Sequence, residues 1–417
     1  MTRVRGATLG CVVAVFAVAA VAPLFFSAGG PVLNNMVLAA IYVVMALGLN
    51  VIVGYAGLLD LGYVAFFAIG AYTAAYFGSG FWANAGSDGS GIAILAGDSV
   101  AGTPGIHVNF VLILALAAAA TAVAGTLIGV PTLRLRGDYI AVVTLAFGEI
   151  IGQIVSNGRS IEFFGGTLTS GPIGIGPIDR IELPLIGRFE ALNLRPWYWF
   201  ALALVALALI VNVNLRDSRI GRSWIAIRQD EPVAACAGIP IVRTKLLAYG
   251  TGAAYGGISG AFFASYLGIV NPGQFEYSFS IFILAMVVVG GLGSIPGVVV
   301  GAIILSVVNY YLLPDVLYDL PSKFGLAFDL SEVSSGIYGA ILVLVMLLRP
   351  QGLVPARRAG RPAPWLAFSA RVRRPGQPPH HRARPPARHR AAHSAAAGVP
   401  HPERIRGGGA RAGRRHP

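Results

Sequence analysis

The sequence predicts an all-α polytopic membrane protein. Hydrophobic residues make up 55% of the 417 residues and charged residues only 12%, about half the share that is usual in soluble domains. Several apolar runs reach the roughly 20 residues that a helix needs to cross a bilayer. We therefore predict about ten transmembrane helices, some of them broken by glycine, with both termini in the cytoplasm.

The orientation of these helices follows from where the basic residues fall. With the N-terminus inside, eleven Lys and Arg up to Arg349 lie in inner segments and five in outer segments, as the positive-inside rule requires. The apolar run after Arg3 and Arg5 is long for a signal peptide, so we expect it to stay as the first span. The ten predicted spans are roughly residues 7–27, 32–53, 58–78, 107–130, 139–157, 197–213, 246–268, 274–290, 296–313 and 334–348.

The net charge of +13 comes from the end of the chain. Residues 356–417 contain fifteen Arg, six His and ten Pro, whereas residues 1–355 have a net charge close to zero. The pI of the chain is therefore no argument for nucleic-acid binding. The tail cannot bury a core, and we predict that it is disordered. It could contact anionic lipid or have no role, but its composition and its lack of Lys favour a shifted-frame translation of GC-rich DNA.

The sequence contains no pattern that indicates catalysis or a metal site. The two cysteines, Cys11 and Cys236, are not in a metal-ligand spacing, and no disulfide is expected. Neither lysine follows a glycine in a phosphate-binding loop, so we expect this chain to have no ATPase site of its own.

One long charged segment, Leu215–Lys245, lies between two apolar runs. Its excess of basic residues predicts a cytoplasmic location. Residues 220–229 have the pattern of a short amphipathic helix. Asp230 is a suitable N-cap for a second helix, and Gly238 suits the position just after its end. The segment could also be a solvated loop that only sets topology.

Two acidic residues occur within or beside predicted spans. Asp60 belongs to the glycine-rich stretch Gly54–Gly62, which is either a plain turn before a helix or a broken helix that lines a path. Glu149 falls near the middle of a span and shares a helix face with Gln153. An acid at that depth is expected to face the bundle interior, as a hydrogen-bond anchor, a proton-coupling site or part of a path.

Glycine recurs at regular intervals in a later span. Gly252, Gly256 and Gly260 are spaced four residues apart, which predicts a stripe along which another helix can approach closely. The stretch Gly290–Gly297 then predicts a turn between two further spans.

Four stretches of the sequence resemble the permeases of branched-chain amino-acid ABC importers of the LivM type. The resemblance covers about residues 35–355 and includes the charged segment. The matching stretches are GRSWIAIRQDEPVAACAGIP, GYAGLLDLGYVAFFAIGAYTAA, PTLRLRGDYIAVVTLAFGEIIGQIVSN and SIFILAMVVVGGLGSIPGVVVGAIIL.

The resemblance implies a permease subunit in a bacterial inner membrane. Its expected partners are two cytoplasmic ATP-binding subunits, a sister permease and an extracytoplasmic substrate-binding protein, with ATP used by the partners alone. It assigns ATPase coupling to Gly221, Arg222, Trp224, Arg228, Asp230, Glu231 and Gly238. The translocation path would include Gly57, Asp60, Gly62, Glu149, Gln153, Gly290, Gly291 and Gly293.

Three alternatives remain open at this stage. An ion-coupled secondary transporter would use Glu149 or Asp60 as its coupling site. An ABC permease for urea or short amides would share the same fold. A membrane enzyme is the weakest alternative because no nucleophile–base or metal set is present in the sequence.

Overall fold

The computed structural model describes residues 14–82, 92–94, 104–133, 139–163, 166–183, 187–316, 334–349 and 351–355. Residues 1–358 form one compact unit. The predicted tail, 356–417, lies outside the described residues, as does the predicted inner turn with Arg134, Arg136 and Asp138. The boundary at residue 355 therefore stays a prediction.

The described part of the unit is mainly helical. Two of its helices continue as π-helical segments: Pro31–Leu49 continues through Asn50–Tyr55, and Ile295–Val307 continues through Val308–Val316. In chain order the helices are α1 (Ala14–Leu24), α2 (Pro31–Leu49), α3 (Val64–Phe77), α4 (Phe110–Thr132), α5 (Tyr139–Asn157), α6 (Arg195–Asp217), α7 (Arg219–Gln229), α8 (Glu231–Cys236), α9 (Ile241–Leu267), α10 (Tyr277–Gly290), α11 (Ile295–Val307) and α12 (Ser334–Leu348).

Six of the described helical segments are long and apolar enough to cross a membrane: Pro31–Tyr55, Phe110–Thr132, Tyr139–Ser160, Arg195–Asp217, Pro272–Gly290 and Ile295–Leu312. Two further apolar helices, α1 and α3, are shorter. The span predicted at 58–78 starts later than expected, at Val64, because residues 56–63 are irregular. The six segments agree with a polytopic membrane protein.

Helices α2, α3 and α9 form the buried centre, and glycines in α9 permit the close approach. A Cβ atom at Gly260 would lie 2.1 Å from the carbonyl oxygen of Phe67 in α3. A Cβ at Gly252 would lie 2.4 Å from the Ile52 side chain. A Cβ at Gly256 would lie 3.0 Å from the side chain of Phe66. The predicted stripe therefore lies against α3 and the end of α2, where a larger residue would push the helices apart.

The segments between some helices contain short strands that the sequence analysis did not predict. β1 (Gly78–Ser79), β3 (Ile106–Val108) and β2 (Ile92–Ile94) form a three-stranded sheet in that order. Two hairpins follow, β4 (Glu162–Phe163) with β5 (Gly166–Thr167), and β6 (Glu182–Leu183) with β7 (Gly187–Arg188).

Contacts between helix ends fall into two groups. In one group, the segment between α5 and α6 contacts the starts of α2 and α4 and the ends of α3 and α9. Two isolated β-bridges, Ser79–Ile178 and Ile175–Val270, are among these contacts. A 2.6 Å contact between His107 Nδ1 and Asp179 Oδ2 belongs to this group. The other group joins the end of α2, the α7–α8 pair, the α10–α11 turn and residues after α12, and it contains the candidate site.

Candidate functional site

The pair of short helices α7 and α8 is defined by local capping. The Ser218 hydroxyl accepts a hydrogen bond from the Gly221 amide at 3.1 Å and begins α7. The Asp230 carboxylate accepts one from the Val233 amide at 3.0 Å and begins α8. Gly238 follows the end of α8 with φ +84°, a conformation that glycine adopts without strain. The two predicted helices, the N-cap Asp230 and the position of Gly238 are confirmed, whereas the N-cap Ser218 was not predicted.

Two contacts tie this helix pair to the start of α9. The fully buried Trp224 donates a hydrogen bond from Nε1 to the carbonyl oxygen of Thr244 at 2.7 Å. Lys245 Nζ lies 2.7 Å from Glu231 Oε2. Glycine at position 221 is required because a Cβ there would lie 2.2 Å from the carbonyl oxygen of Leu215. The pair is therefore held as a folded unit.

Arg228 connects α7 to the broken end of α2. Its Nη1 atom donates a hydrogen bond to the carbonyl oxygen of Gly54, which lies in the π-helical turn Asn50–Tyr55. The Arg228 side chain passes over Gly57, where a Cβ would lie 2.7 Å from Arg228 Cγ. Gly57 has φ +71°, so both its backbone conformation and the space beside it favour glycine.

The α10–α11 turn meets the same point. The buried Asn50 accepts a hydrogen bond at its Oδ1 from the Gly293 amide, at 2.8 Å. A Cβ at Gly293 would lie 3.1 Å from both Arg228 Nη1 and the Gly54 carbonyl oxygen. We call Asn50, Gly54, Gly57, Arg228 and Gly293 the coupling junction. Asn50 was not predicted as a site residue, although an amide side chain within an apolar run could have indicated it.

Residues after α12 close the turn from another direction. The amide of Leu353 donates to the Val289 carbonyl at 2.9 Å, and the amide of Val354 donates to the Gly290 carbonyl at 3.1 Å. Gly291 has φ +122°, and a Cβ there would lie 2.7 Å from the Val354 carbonyl oxygen. In this structure Gly290 and Gly291 serve close backbone packing.

Asp60 is buried against α5. It is 2% exposed, and its Oδ1 accepts a hydrogen bond from the Gly62 amide at 2.9 Å. The second carboxylate oxygen is buried without a hydrogen-bond partner among the described residues. Gly62 lies so close to α5 that a Cβ would be 1.8 Å from the Thr144 carbonyl oxygen. Asp60 therefore contributes to a tightly packed turn.

Glu149 and Gln153 lie on the opposite side of α5, and both are exposed on the surface of the single chain. The expectation that Glu149 faces the interior of its own bundle is wrong, because α5 packs its Gly148 face against Gly62 instead. Within the part of the chain that the structure describes, Glu149 has no ion pair. The structure does not bring Glu149 and Asp60 together.

The remaining charges of the α7–α8 pair are available to a partner. Arg222 and Asp230 are exposed, and among the described residues Arg222 Nη1 donates a hydrogen bond locally, to the carbonyl oxygen of Asp217 at 2.6 Å. The Glu231 side chain is 51% exposed. The described residues contain no cluster of three or more His, Cys, Asp or Glu that could hold a metal ion. The α7–α8 pair therefore combines exposed charged side chains with contacts to the ends of α2 and α9.

Comparison with known proteins gives the family. The family described as "Branched-chain amino acid transport system / permease component" matches residues 32–346. No solved structure matches the chain significantly.

Three curated relatives are named as permease proteins of branched-chain amino acid transport systems. The high-affinity branched-chain amino acid transport system permease protein LivM of Salmonella typhimurium is 35% identical over 369 residues, 83% of this chain and 74% of that one. LivM of Escherichia coli is 36% identical over 345 residues, 77% and 69% of the two chains. LivH of Salmonella typhimurium is 29% identical over 164 residues, 39% and 46%. The chain belongs to the family of branched-chain amino acid transport permease components.

Proposed function

We propose that this chain is one transmembrane permease subunit of an ATP-binding-cassette importer that moves branched-chain or related amino acids across a bacterial inner membrane. It acts with a sister permease, two cytoplasmic ATP-binding subunits and an extracytoplasmic substrate-binding protein. ATP is bound by the partner subunits alone. Both the family and the exposed charges on the folded α7–α8 pair support this arrangement.

The coupling junction is the observation that carries the proposal. Arg222, Asp230 and Glu231 face outward, whereas Arg228 on the same helix pair binds the backbone of α2. A movement of the ATP-binding subunits that displaces α7 therefore pulls directly on the broken end of α2. The Asn50–Gly293 bond passes the movement to the α10–α11 turn. This path is short and consists of packed and hydrogen-bonded groups.

The proposal includes a topology, which is supported by the basic residues of the segment Leu215–Lys245. We assign the coupling junction and residues 349–355 to the cytoplasmic side and the short strands to the outer side, with ten spans and cytoplasmic termini. In this arrangement the closely packed turns that contain Gly57, Asp60, Gly62, Gly290, Gly291 and Gly293 close the inner end of the translocation path. Glu149 and Gln153 face the sister permease across the path, because an exposed acid in hydrocarbon is costly without polar cover.

The test is uptake of radiolabelled leucine into vesicles that contain all co-encoded subunits and the binding protein. The proposal expects uptake that requires internal ATP and the binding protein and that persists when ion gradients are collapsed. Uptake that follows a proton gradient without ATP would instead support an ion-coupled transporter. ATP-dependent uptake of urea or short amides in place of leucine would change the substrate class.

The tail is a separate proposal. We infer that residues 356–417 are a shifted-frame extension, on the basis of their fifteen Arg and absence of Lys. Intact mass of the native protein tests this, and a species carrying all 417 residues would contradict it.

A further inference from the structure

The π-helical segment of α2 is bound by both α6 and α7. Arg228, near the end of α7, donates a hydrogen bond to the Gly54 carbonyl. From α6, the side chain of Asn212 makes two bonds: its Nδ2 donates to the Leu47 carbonyl at 3.1 Å, and its Oδ1 accepts from the Tyr55 hydroxyl at 2.6 Å. Leu47 lies in the turn before the segment and Tyr55 is its last residue. One amide group therefore joins both ends of the segment to α6.

Asn212 is a polar residue on an otherwise apolar helix face. Its relative exposure is 0%, and the buried residues Ala201, Val205 and Ala208 share its face of α6. Burial of an amide costs free energy unless its donor and acceptor are paired, and both are paired here with α2. The next amide along the helix, Asn214, is exposed. The burial of Asn212 therefore depends on its bonds to α2.

The backbone of the π-helical segment has a geometry that needs such support. The Ala56 amide donates to the Val51 carbonyl, five positions earlier, at 3.2 Å, and the Leu58 amide donates to the Ile52 carbonyl, six positions earlier, at 3.1 Å. Turns of this width are rare and occur mostly as short interruptions of α-helices. Side-chain bonds from a neighbouring helix stabilise the interruption, because they are lost if the segment rewinds into an α-helix.

We propose that Asn212 and Tyr55 are positioning residues for coupling: they anchor the π-helical segment to α6 while α7 acts on it at Gly54. α6 and α7 are separated only by Ser218, so α7 can turn about this residue while α6 stays in place. A displacement of α7 then changes the geometry of the anchored segment instead of moving α2 as a rigid body. This inference deepens the proposed function and rests on it.

The first experiment measures leucine uptake and phosphate release by the complete transporter in vesicles. Tyr55→Phe should lower the uptake per ATP hydrolysed about five- to tenfold, because one buried hydrogen bond to the anchor is lost. Tyr198→Phe is the matched control, since Tyr198 is also a buried residue and its hydroxyl donates to the Ala19 carbonyl at 3.1 Å, away from the segment. Both variants should lower the melting temperature similarly, but only Tyr55→Phe should change the coupling ratio.

A second pair of variants removes the other partner of the bond. Asn212→Leu keeps a similar volume but removes both bonds to α2, so it should lower the coupling ratio at least as much as Tyr55→Phe. Asn214→Leu makes the same chemical change at the exposed amide of α6 and should leave the ratio at the wild-type value. If Asn212→Leu does not assemble, the comparison of Tyr55→Phe with Tyr198→Phe decides the role of the anchor.

Hydrogen exchange tests the anchor without transport. In the complete transporter in nanodiscs, Tyr55→Phe should accelerate amide exchange over residues 51–58 about five- to tenfold, whereas Tyr198→Phe should not. Unchanged exchange in Tyr55→Phe would overturn the anchor, and equal coupling ratios for Tyr55→Phe and Tyr198→Phe would overturn its role in coupling. ATP-driven uptake by the wild type is scored separately. Its absence rejects the proposed function, whereas its presence with equal coupling ratios rejects only the positioning role.

Discussion

The guanidinium of Arg228 donates a hydrogen bond to the carbonyl oxygen of Gly54, and it thereby joins α7 to the interrupted end of α2, 174 positions earlier in the chain. The contact uses the backbone of α2, so movement of α7 acts on main-chain atoms directly. The Gly293 amide, bound to Asn50 at 2.8 Å, places a second membrane turn at the same point. Arg228 and Asn50 together thus connect α7, the end of α2 and the α10–α11 turn.

Replacement of Arg228 should uncouple ATP hydrolysis from transport. Arg228→Gln is expected to leave the subunits assembled while leucine uptake per ATP hydrolysed falls about tenfold, because the buried Gly54 carbonyl loses a charged donor. The measurement is uptake and phosphate release in the same vesicles. Arg243→Gln is the control, since Arg243 is exposed at the start of α9. Equal coupling ratios for the two variants would contradict the role of the junction.

The close packing of α9 on α3 predicts opposite effects for two glycine substitutions. Gly260→Ala places a Cβ 2.1 Å from the Phe67 carbonyl oxygen and should lower the free energy of unfolding by about 1–3 kcal/mol through overpacking. Gly152→Ala in α5 has no atom within 4 Å of the added Cβ and should stabilise the helix by about 0.5–1 kcal/mol. Thermal unfolding of the purified chain in detergent distinguishes them. Similar melting temperatures would show that α9 can move away from α3.

The attachment of α7 to α9 depends on Trp224. Trp224→Phe removes the Nε1 donor, while the Thr244 carbonyl keeps the hydrogen bond that it accepts within α9, so the loss of one buried hydrogen bond should cost about 0.5–1.5 kcal/mol. The α7–α8 pair should then open more often, and limited proteolysis between Arg219 and Arg243 should accelerate. Ser223→Ala is a useful comparison because Ser223 Oγ bonds only within α7, to the Arg219 carbonyl at 3.0 Å. If both variants are cleaved equally fast, the tryptophan bond does not hold the helix pair.

We expect the negative charge of Glu149, at the proposed boundary with another subunit, to contribute to leucine uptake. We expect Glu149→Gln to reduce leucine uptake about tenfold, because an amide preserves hydrogen bonding but removes a strong electrostatic interaction in a medium of low dielectric constant. Ile154→Val, a small change on an equally exposed residue of α5, should leave uptake unchanged. Wild-type uptake by Glu149→Gln would indicate that Glu149 is only a hydrogen-bond anchor.

Features that depend on neighbouring residues in the chain were predictable from the sequence. Asp230 and Gly238 were identified because a helix cap needs a particular side chain or backbone conformation within a few residues. The α10–α11 turn was identified for the same reason. The partner of Arg228 could not be predicted, since any backbone carbonyl can accept a hydrogen bond and Gly54 has no side chain to indicate its role.

Longer-range features were predicted less well. His107 and Asp179 are 72 positions apart, and neither local pattern nor composition indicates their pairing. Glu149 was expected to face the interior because acids in membrane helices usually do. A single sequence does not show which face of a helix its own chain covers, and the structure shows that α5 leaves the face with Glu149 and Gln153 uncovered.

The backbone bonds that Leu353 and Val354 make to the end of α10 define where the chain can be shortened. A stop codon after Pro355 retains both bonds and removes all fifteen tail arginines. A stop codon only a few residues earlier would leave the Val289 and Gly290 carbonyls without these donors and would loosen the turn that holds Gly293 in place. We therefore expect a chain that ends at Pro355 to keep this turn folded, whereas a chain that ends before Leu353 should lose it.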